Sequence, residues 1–219
     1  MMTLTREAEV PKTPDPLLSR LLDAAVEAIG NNADLLGELD RTIGDGDHGL
    51  NMLRGFAAIA AQRDGLAALP LGAALEAMGR LLVMNVGGAS GPLYGSLLIA
   101  MGKAALRDDA SVAALLDEGV AAVKRRGKSE RGEKTMLDVL VPVQLAWSEA
   151  CREGLPARAA LERLRQAAKE GLEATRPLVA TKGRASFLGQ RSVGHLDPGA
   201  YSSFLLVDAA CAAFLEDSP

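Results

Sequence analysis

At 219 residues the chain suits one domain or two small ones and is long enough to bury a sizeable core. Its 24 basic and 28 acidic residues give a net charge of −4, which argues against a general nucleic-acid binder and supplies no polybasic membrane signal. Aromatic residues are only 3% of the chain, too few for a single-strand stacking platform.

Residues 1 to 16 contain Arg6, Glu7, Glu9, Lys12, Asp15 and prolines but no apolar run, so no signal peptide is read there and residues 1–15 are expected to form a flexible arm. Asp15-Pro16 is a cap followed by proline at a first helical position. Leu17, Leu18, Leu21, Leu22, Ala25, Val26 and Ile29 then mark one helical face. A short helix is expected over Ala33 to Leu39, and a longer one from His48 to Arg63, ending near Gly65. Leu71 to Met84 follows. Leu81 to Gly102 carries no charge and has glycine at 87, 91 and 95, imitating a membrane helix with a dimerisation face. Gly87-Gly88 and Pro92 interrupt it, so two buried helices joined by a glycine loop explain it better, the second running from Ser90 to Leu106. Ser111 opens a helix to Arg126. Thr135 and Asp138 read as a capping box for a helix to Cys151, with Pro142 near its start. Pro156 begins another, to Thr175, and Asp197-Pro198 caps the last, ending near Leu215. Cys151 and Cys211 both sit in apolar helical stretches and read as buried reduced thiols, which points to the cytoplasm.

This pattern is all-α. Short connections between Ala- and Leu-rich helices suggest an up-and-down bundle or closed helical barrel, with residues 16–219 as a single domain. The non-helical stretches "IGDGDHG", "NVGGASGPLYG", "RRGKSERGEKTM" and "TKGRASFLGQRSVGHLDPG" are rich in glycine and polar residues. In an up-and-down bundle alternate connections share an end, so one end is expected to collect most of them.

Gly44-Asp45-Gly46-Asp47-His48-Gly49 matches the dinucleotide pattern G-x-G-x-x-G. That loop needs a preceding strand and a parallel sheet, and neither is present. A Walker A reading of Gly127-Lys128-Ser129 fails because Ala122 stands where a glycine is required. An EF-hand reading fails because Leu50 and Phe56 would fall at positions 6 and 12. What remains is a loop with Asp40, Asp45 and Asp47 ahead of a helix start. Three carboxylates around one point need a cation, and all-oxygen ligands suit magnesium completed by water and phosphate. The helix beginning near His48 adds free N–H groups for phosphate. The bland alternative is a solvated acidic turn. "GGASGPLYG" is either a second phosphate contact at Ser90 and Gly91 or close helix packing through small residues. His48 is either part of the site or a capping residue. His195 is given no catalytic role. Arg184 pairs either with phosphate or with a surface carboxylate. "KRRGKSERGEK" is a solvated loop or faces a charged partner protein.

Together, "LDRTIGDGDHGLNM", "GGASGPLYGSLL", "GEKTMLDVL" and "GRASFLGQRSVGHLDPGA" resemble the nucleotide-binding L subunit of dihydroxyacetone kinases, in the family's order and from about residue 39 to 204. The resemblance implies an eight-helix antiparallel up-and-down barrel with ADP or ATP at one end. It implies magnesium on Asp40, Asp45 and Asp47, and phosphate contacts from His48, Gly49, Leu50 and Asn51. Ala89 and Ser90 match the second nucleotide contact, and Gly127, Met136, Arg184, Asp197, Pro198 and Gly199 fall where the family encloses the nucleotide. It implies a separate K subunit holding a small ketose on its own histidine, and no residue of this chain as a nucleophile. In one arrangement resident ADP is recharged by a phosphotransferase-system phosphohistidine protein; in the other ATP exchanges freely, and an ATP-dependent kinase of a related triose or tetrose is an alternative. A non-catalytic regulatory module and a nucleotide domain of a carrier-lipid or fatty-acid kinase system are the alternatives. No nucleic-acid or membrane partner is expected, and a homodimer is left open.

Overall fold

The computed structural model describes residues 14–215. Ten α-helices are described: α1 Pro16–Asn31, α2 Ala33–Ile43, α3 His48–Ala60, α4 Arg63–Ala67, α5 Leu71–Asn85, α6 Ser90–Ala105, α7 Val112–Gly127, α8 Leu137–Glu153, α9 Ala157–Ala174 and α10 Pro198–Leu215. A 3-10 segment, Arg184–Ser192, lies between α9 and α10 and is interrupted at Gly189. No strand occurs among the described residues. The expected arm, residues 1–15, lies outside them except for Pro14 and Asp15. Asp15 is held in place: its carboxylate accepts from the N–H groups of Leu17 and Leu18, and its own N–H donates to the Ala67 carbonyl.

Local chemistry sets several helix starts. Ser111 caps α7 through a bond from the Ala114 N–H, and the Asp197 carboxylate caps α10 by accepting from the Ala200 N–H at 2.7 Å. The expected capping box on α8 forms by its return half, in which the Asp138 carboxylate accepts from the Thr135 N–H at 2.7 Å. Three expectations are corrected. The helix from His48 breaks at Ala61 and Gln62 and resumes as α4. The 184–192 stretch is wound into 3-10 turns. Cys151 is exposed, and only Cys211 is buried.

α1 packs on α3 and α3 on α5. From α5 onward each long helix packs on the next, and α10 returns to α1, while α2 contacts α3 and α10. The core runs down the middle of this ring. Leu22, Ile29, Met52, Ile59, Leu82, Val123 and Leu137 are each at most 1% exposed. Burying such a side chain contributes roughly 1.5–3 kcal/mol. The uncharged stretch that imitates a membrane helix is α5 and α6 side by side. A Cβ on Gly79 would lie 2.8 Å from the Gly95 carbonyl, and a Cβ on Gly95 would lie 2.8 Å from the Gly79 carbonyl, so glycine at both is what lets these backbones touch. Among the described residues α10 alone is long and apolar enough to cross a membrane. Here it packs on α1 and α9.

Candidate functional site

The connections 44–47, 86–89, 128–136 and 175–197 meet at one end of the bundle, where they line a cavity of about 520 Å³. Helices α3, α6, α8 and α10 all start there, so their unpaired N–H groups and positive dipole ends converge on the same space.

Asp40 is not in the loop, because α2 runs on to Ile43 instead of stopping at Leu39; it sits on the last turn. Its carboxylate accepts from the His48 N–H at 3.1 Å, joining the end of α2 to the start of α3. Asp45 and Asp47 follow in the turn, and one oxygen from each of the three carboxylates lies within 4.8 Å of the others. A Cβ on Gly44 would stand 2.1 Å from Asp40 Oδ1, so only glycine leaves room for this carboxylate. Among the described residues, Arg184 donates to Asp45 Oδ2 at 2.9 Å from an exposed position. Three hard oxygen donors around one point fit a small hard divalent ion such as magnesium.

Beside the carboxylates lies the first turn of α3. A Cβ on Gly49 would sit 1.9 Å from the Ala33 carbonyl, so glycine there allows this helix start to press against α2. The His48 side chain points inward and is buried. Its Nε2 pairs with Ser202 Oγ at 2.9 Å and its Nδ1 with Ser90 Oγ at 3.1 Å. Burial lowers its pKa below the usual imidazole range, while Asp40 and Asp47 work against that shift. Ser202 in turn meets the Tyr94 hydroxyl at 2.7 Å, and Tyr94 also reaches Ser203 Oγ at 2.8 Å and the Gly199 carbonyl at 3.2 Å. Burial pushes the Tyr94 hydroxyl up to about 12.

Across the cavity, Lys134 adopts φ 61° and is only 1% exposed. Its ammonium donates to the carbonyls of Thr175 and His195, tying the 128–136 loop to the 175–197 segment. Burial lowers its pKa, with Asp197 pulling the other way. Asp197 is itself pushed up to about 7, chiefly by burial. The Asp138 carboxylate closes the 128–136 loop by accepting from the N–H groups of Gly132 at 2.5 Å and Thr135 at 2.7 Å.

Of the residues singled out from sequence, Asp40, Asp45, Asp47, His48, Asn51, Ala89, Ser90, Gly127, Met136, Arg184, Asp197, Pro198 and Gly199 line the cavity. Gly49 and Leu50 do not; Gly49 backs onto α2, and the Leu50 side chain is 60% exposed. Sequence reading missed Tyr94, Arg126, Lys134 and Lys182 in the lining. Tyr94 lay inside a helix, and Lys134 lay in a charged run that reads as solvated.

A family model described as the DAK2 domain matches residues 42–212. A PEP-dependent dihydroxyacetone kinase 1, ADP-binding subunit DhaL, from Listeria innocua serovar 6a is 42% identical over 193 residues, covering 87% of this chain and 92% of the relative. The PEP-dependent dihydroxyacetone kinase, ADP-binding subunit DhaL, of Escherichia coli K12 is 39% identical over 197 residues, with the same two coverages of 87% and 92%. A D-erythrulose kinase from Mycolicibacterium smegmatis is 34% identical over 209 residues, covering 92% of this chain and 35% of the relative. The crystal structure of the dihydroxyacetone kinase from C. freundii in complex with AMP-PNP and Mg2+ superposes with a TM-score of 0.74 at 24% identity. That match covers 97% of this chain and 37% of the crystal chain, so it is a likeness of fold to a part of a longer protein. Apart from Asp40, which lies just ahead of it, the residues lining the cavity fall in the matched region, and the chain belongs to the DAK2 domain family.

Proposed function

We propose that this chain is the nucleotide-holding, phosphoryl-transferring subunit of a dihydroxyacetone kinase, acting in the cytoplasm on a small ketose held by a separate K subunit. The observation that carries this reading is the meeting of three carboxylates, within 4.8 Å of one another, with the N-termini of α3 and α6 in one cavity. Asp40, Asp45 and Asp47 would hold magnesium, which neutralises developing phosphate charge when bound. The first turn of α3, His48 to Asn51, would seat phosphate oxygens at the positive helix end through the N–H groups of Gly49 and Leu50, since the His48 N–H donates to Asp40 and the Asn51 N–H to the Asp47 carbonyl. Ala89 and Ser90 bring the start of α6 to the same phosphates. Gly127, Met136, Arg184, Asp197, Pro198 and Gly199 enclose the rest of the nucleotide. No nucleophile is required of this chain, whose work is positioning and electrostatics.

The rim supports a protein partner. Leu50, Met84 and Phe187, at the site end, are 60%, 79% and 88% exposed, an apolar edge that a K subunit would cover. The relatives named as ADP-binding subunits of PEP-dependent kinases favour resident ADP recharged by a phosphotransferase-system phosphohistidine protein. Purified protein denatured after gel filtration should release ADP in near-stoichiometric amount. The chain mixed with its K subunit, dihydroxyacetone, PEP and the phosphotransferase proteins should form the phosphate ester. Ester formation that is equally fast without this chain would overturn the reading. Rapid exchange of bound nucleotide with ATP would move it toward the exchangeable-ATP arrangement, for which the erythrulose kinase relative is the observation in favour.

A further inference from the structure

Arg54 has no role in the reading above. It is an exposed residue of α3, three positions after Asn51, and its guanidinium turns back to donate through Nη2 to Asn51 Oδ1. Asn51 itself is 3% exposed and lines the cavity beside the 86–89 connection. A Cβ on Gly87 would lie 2.6 Å from Asn51 Oδ1 and 3.1 Å from its Nδ2, so glycine there lets the connection rest on the amide. The Asn51 N–H already donates to the Asp47 carbonyl, which leaves the side chain as the part of Asn51 that can meet a ligand. Its Nδ2 has no acceptor among the described residues and opens on the cavity.

We propose that Arg54 is a positioning residue that locks the Asn51 side chain with its oxygen turned away from the nucleotide and its NH2 group turned toward a phosphate. The inference rests on the proposed nucleotide function and adds to it a residue outside the cavity lining. Half a turn of an asparagine amide exchanges an acceptor for a donor in nearly the same volume. Left alone, the side chain could present either atom to a phosphate: the nitrogen would donate and the oxygen would repel. A guanidinium removes the choice, because every polar atom it carries is a donor and it keeps its proton. It can pair with Oδ1 and cannot pair with Nδ2, so Nδ2 faces the other way. Neither group changes protonation near neutral pH, so the sense of the contact does not depend on titration. The charge of Arg54 also polarises the amide and makes Nδ2 the stronger donor.

A crystal structure of the protein with magnesium and ADP tests the geometry. Arg54 should still hold Oδ1, and the Asn51 nitrogen should lie within hydrogen-bond distance of a phosphate oxygen. Arg54 bound directly to phosphate, or the Asn51 amide turned away from it, overturns the proposal. Calorimetry tests the consequence. Arg54→Met keeps an apolar stem and removes the donors. It should weaken ADP binding about threefold to tenfold, because the amide loses its fixed sense and its polarisation, and should leave adenosine affinity unchanged. On an Asn51→Ala background the same substitution should change ADP affinity less than about twofold, since residues that act through one contact are not additive. An equal loss on both backgrounds would mean that Arg54 attracts ADP by charge alone. An equal loss of ADP and adenosine affinity would mean that it only supports the helix, and either result overturns the proposal. If Asn51→Ala fails to fold, the crystal structure and the Arg54→Met affinities decide. Unmodified protein that binds no ADP would overturn the proposed function and this proposal with it, whereas unmodified protein that binds ADP no better than Arg54→Met would overturn this proposal alone.

Discussion

The two ends of the bundle join similar helices and spend polar groups differently. At the end where α4 lies, the connections are turns, and the polar contacts are exposed ion pairs: Arg63–Asp23 at 2.6 Å, Arg107–Asp109 at 2.9 Å and Arg163–Glu153 at 2.8 Å. Such pairs in high dielectric contribute little. At the other end His48, Lys134 and Asp138 are buried, and Asp40, Asp45 and Asp47 crowd together. Burying or crowding charge costs stability unless partners or ligands offset it. A small helical protein that accepts this at one end only is holding those groups for something that binds there.

Substitutions of like kind at the two ends should therefore give unlike results. The largest contrast is expected for Asp45→Asn against Asp109→Asn. The first removes a proposed metal donor and should weaken magnesium-dependent ADP retention at least about tenfold to a hundredfold, since even outer-shell partners of metal sites are worth that much. The second should leave retention unchanged. Equilibrium dialysis at fixed magnesium measures both, and equal retention would erase the functional difference between the ends. Next is Lys134→Met, which leaves the His195 carbonyl unpaired and takes from the Thr175 carbonyl one of its two donors, and should cost about 1–3 kcal/mol in urea unfolding. Arg107→Met, at the opposite end, should leave the midpoint where it was.

A third test uses pH. Asp197, pushed up to about 7 when folded, binds its proton more tightly than in the unfolded chain, where it titrates near 3.8. Its contribution to stability is fully present below about pH 4 and is lost as pH rises through about 7. His48, whose pKa burial lowers, acts in the opposite sense, losing its contribution as pH falls below the usual imidazole value. The difference between wild type and Asp197→Asn isolates the carboxyl: the wild-type Tm in metal-free buffer should drop relative to the variant across about pH 4 to 7. Parallel curves would remove Asp197 from the account. The smallest effect is Gly65→Ala in α4, where a Cβ would meet no atom within 4 Å. It should stabilise by about 0.4–1 kcal/mol in thermal unfolding, because the end without a site has no reason to keep a glycine there.

Much of the fold could be read locally. Asp15-Pro16, Ser111 and Asp197-Pro198 start helices because each cap acts on N–H groups two or three residues away. The extension of α2 to Ile43 and the break at Ala61–Gln62 carry no such local mark, and at both the structure differs from the sequence expectation. The motif places Leu50 in the proposed phosphate-binding turn, and helical geometry leaves its side chain in solvent, so only its backbone can serve there. Cys151 shares an apolar helix with buried neighbours and is nevertheless exposed.

The amino-acid order alone determined that the chain is helical, where most helices begin, and that Asp40, Asp45 and Asp47 fall within one short stretch, because periodicity, capping and turn chemistry act over a few residues. Only the tertiary structure decided that Lys134 is buried, since its acceptors are carbonyls 41 and 61 residues away. It alone linked Tyr94 to His48 through Ser202, a contact 108 residues from Tyr94 along the chain. Whether a charged or polar group ends in water or in the interior depends on which distant backbone comes to meet it, and no local pattern records that.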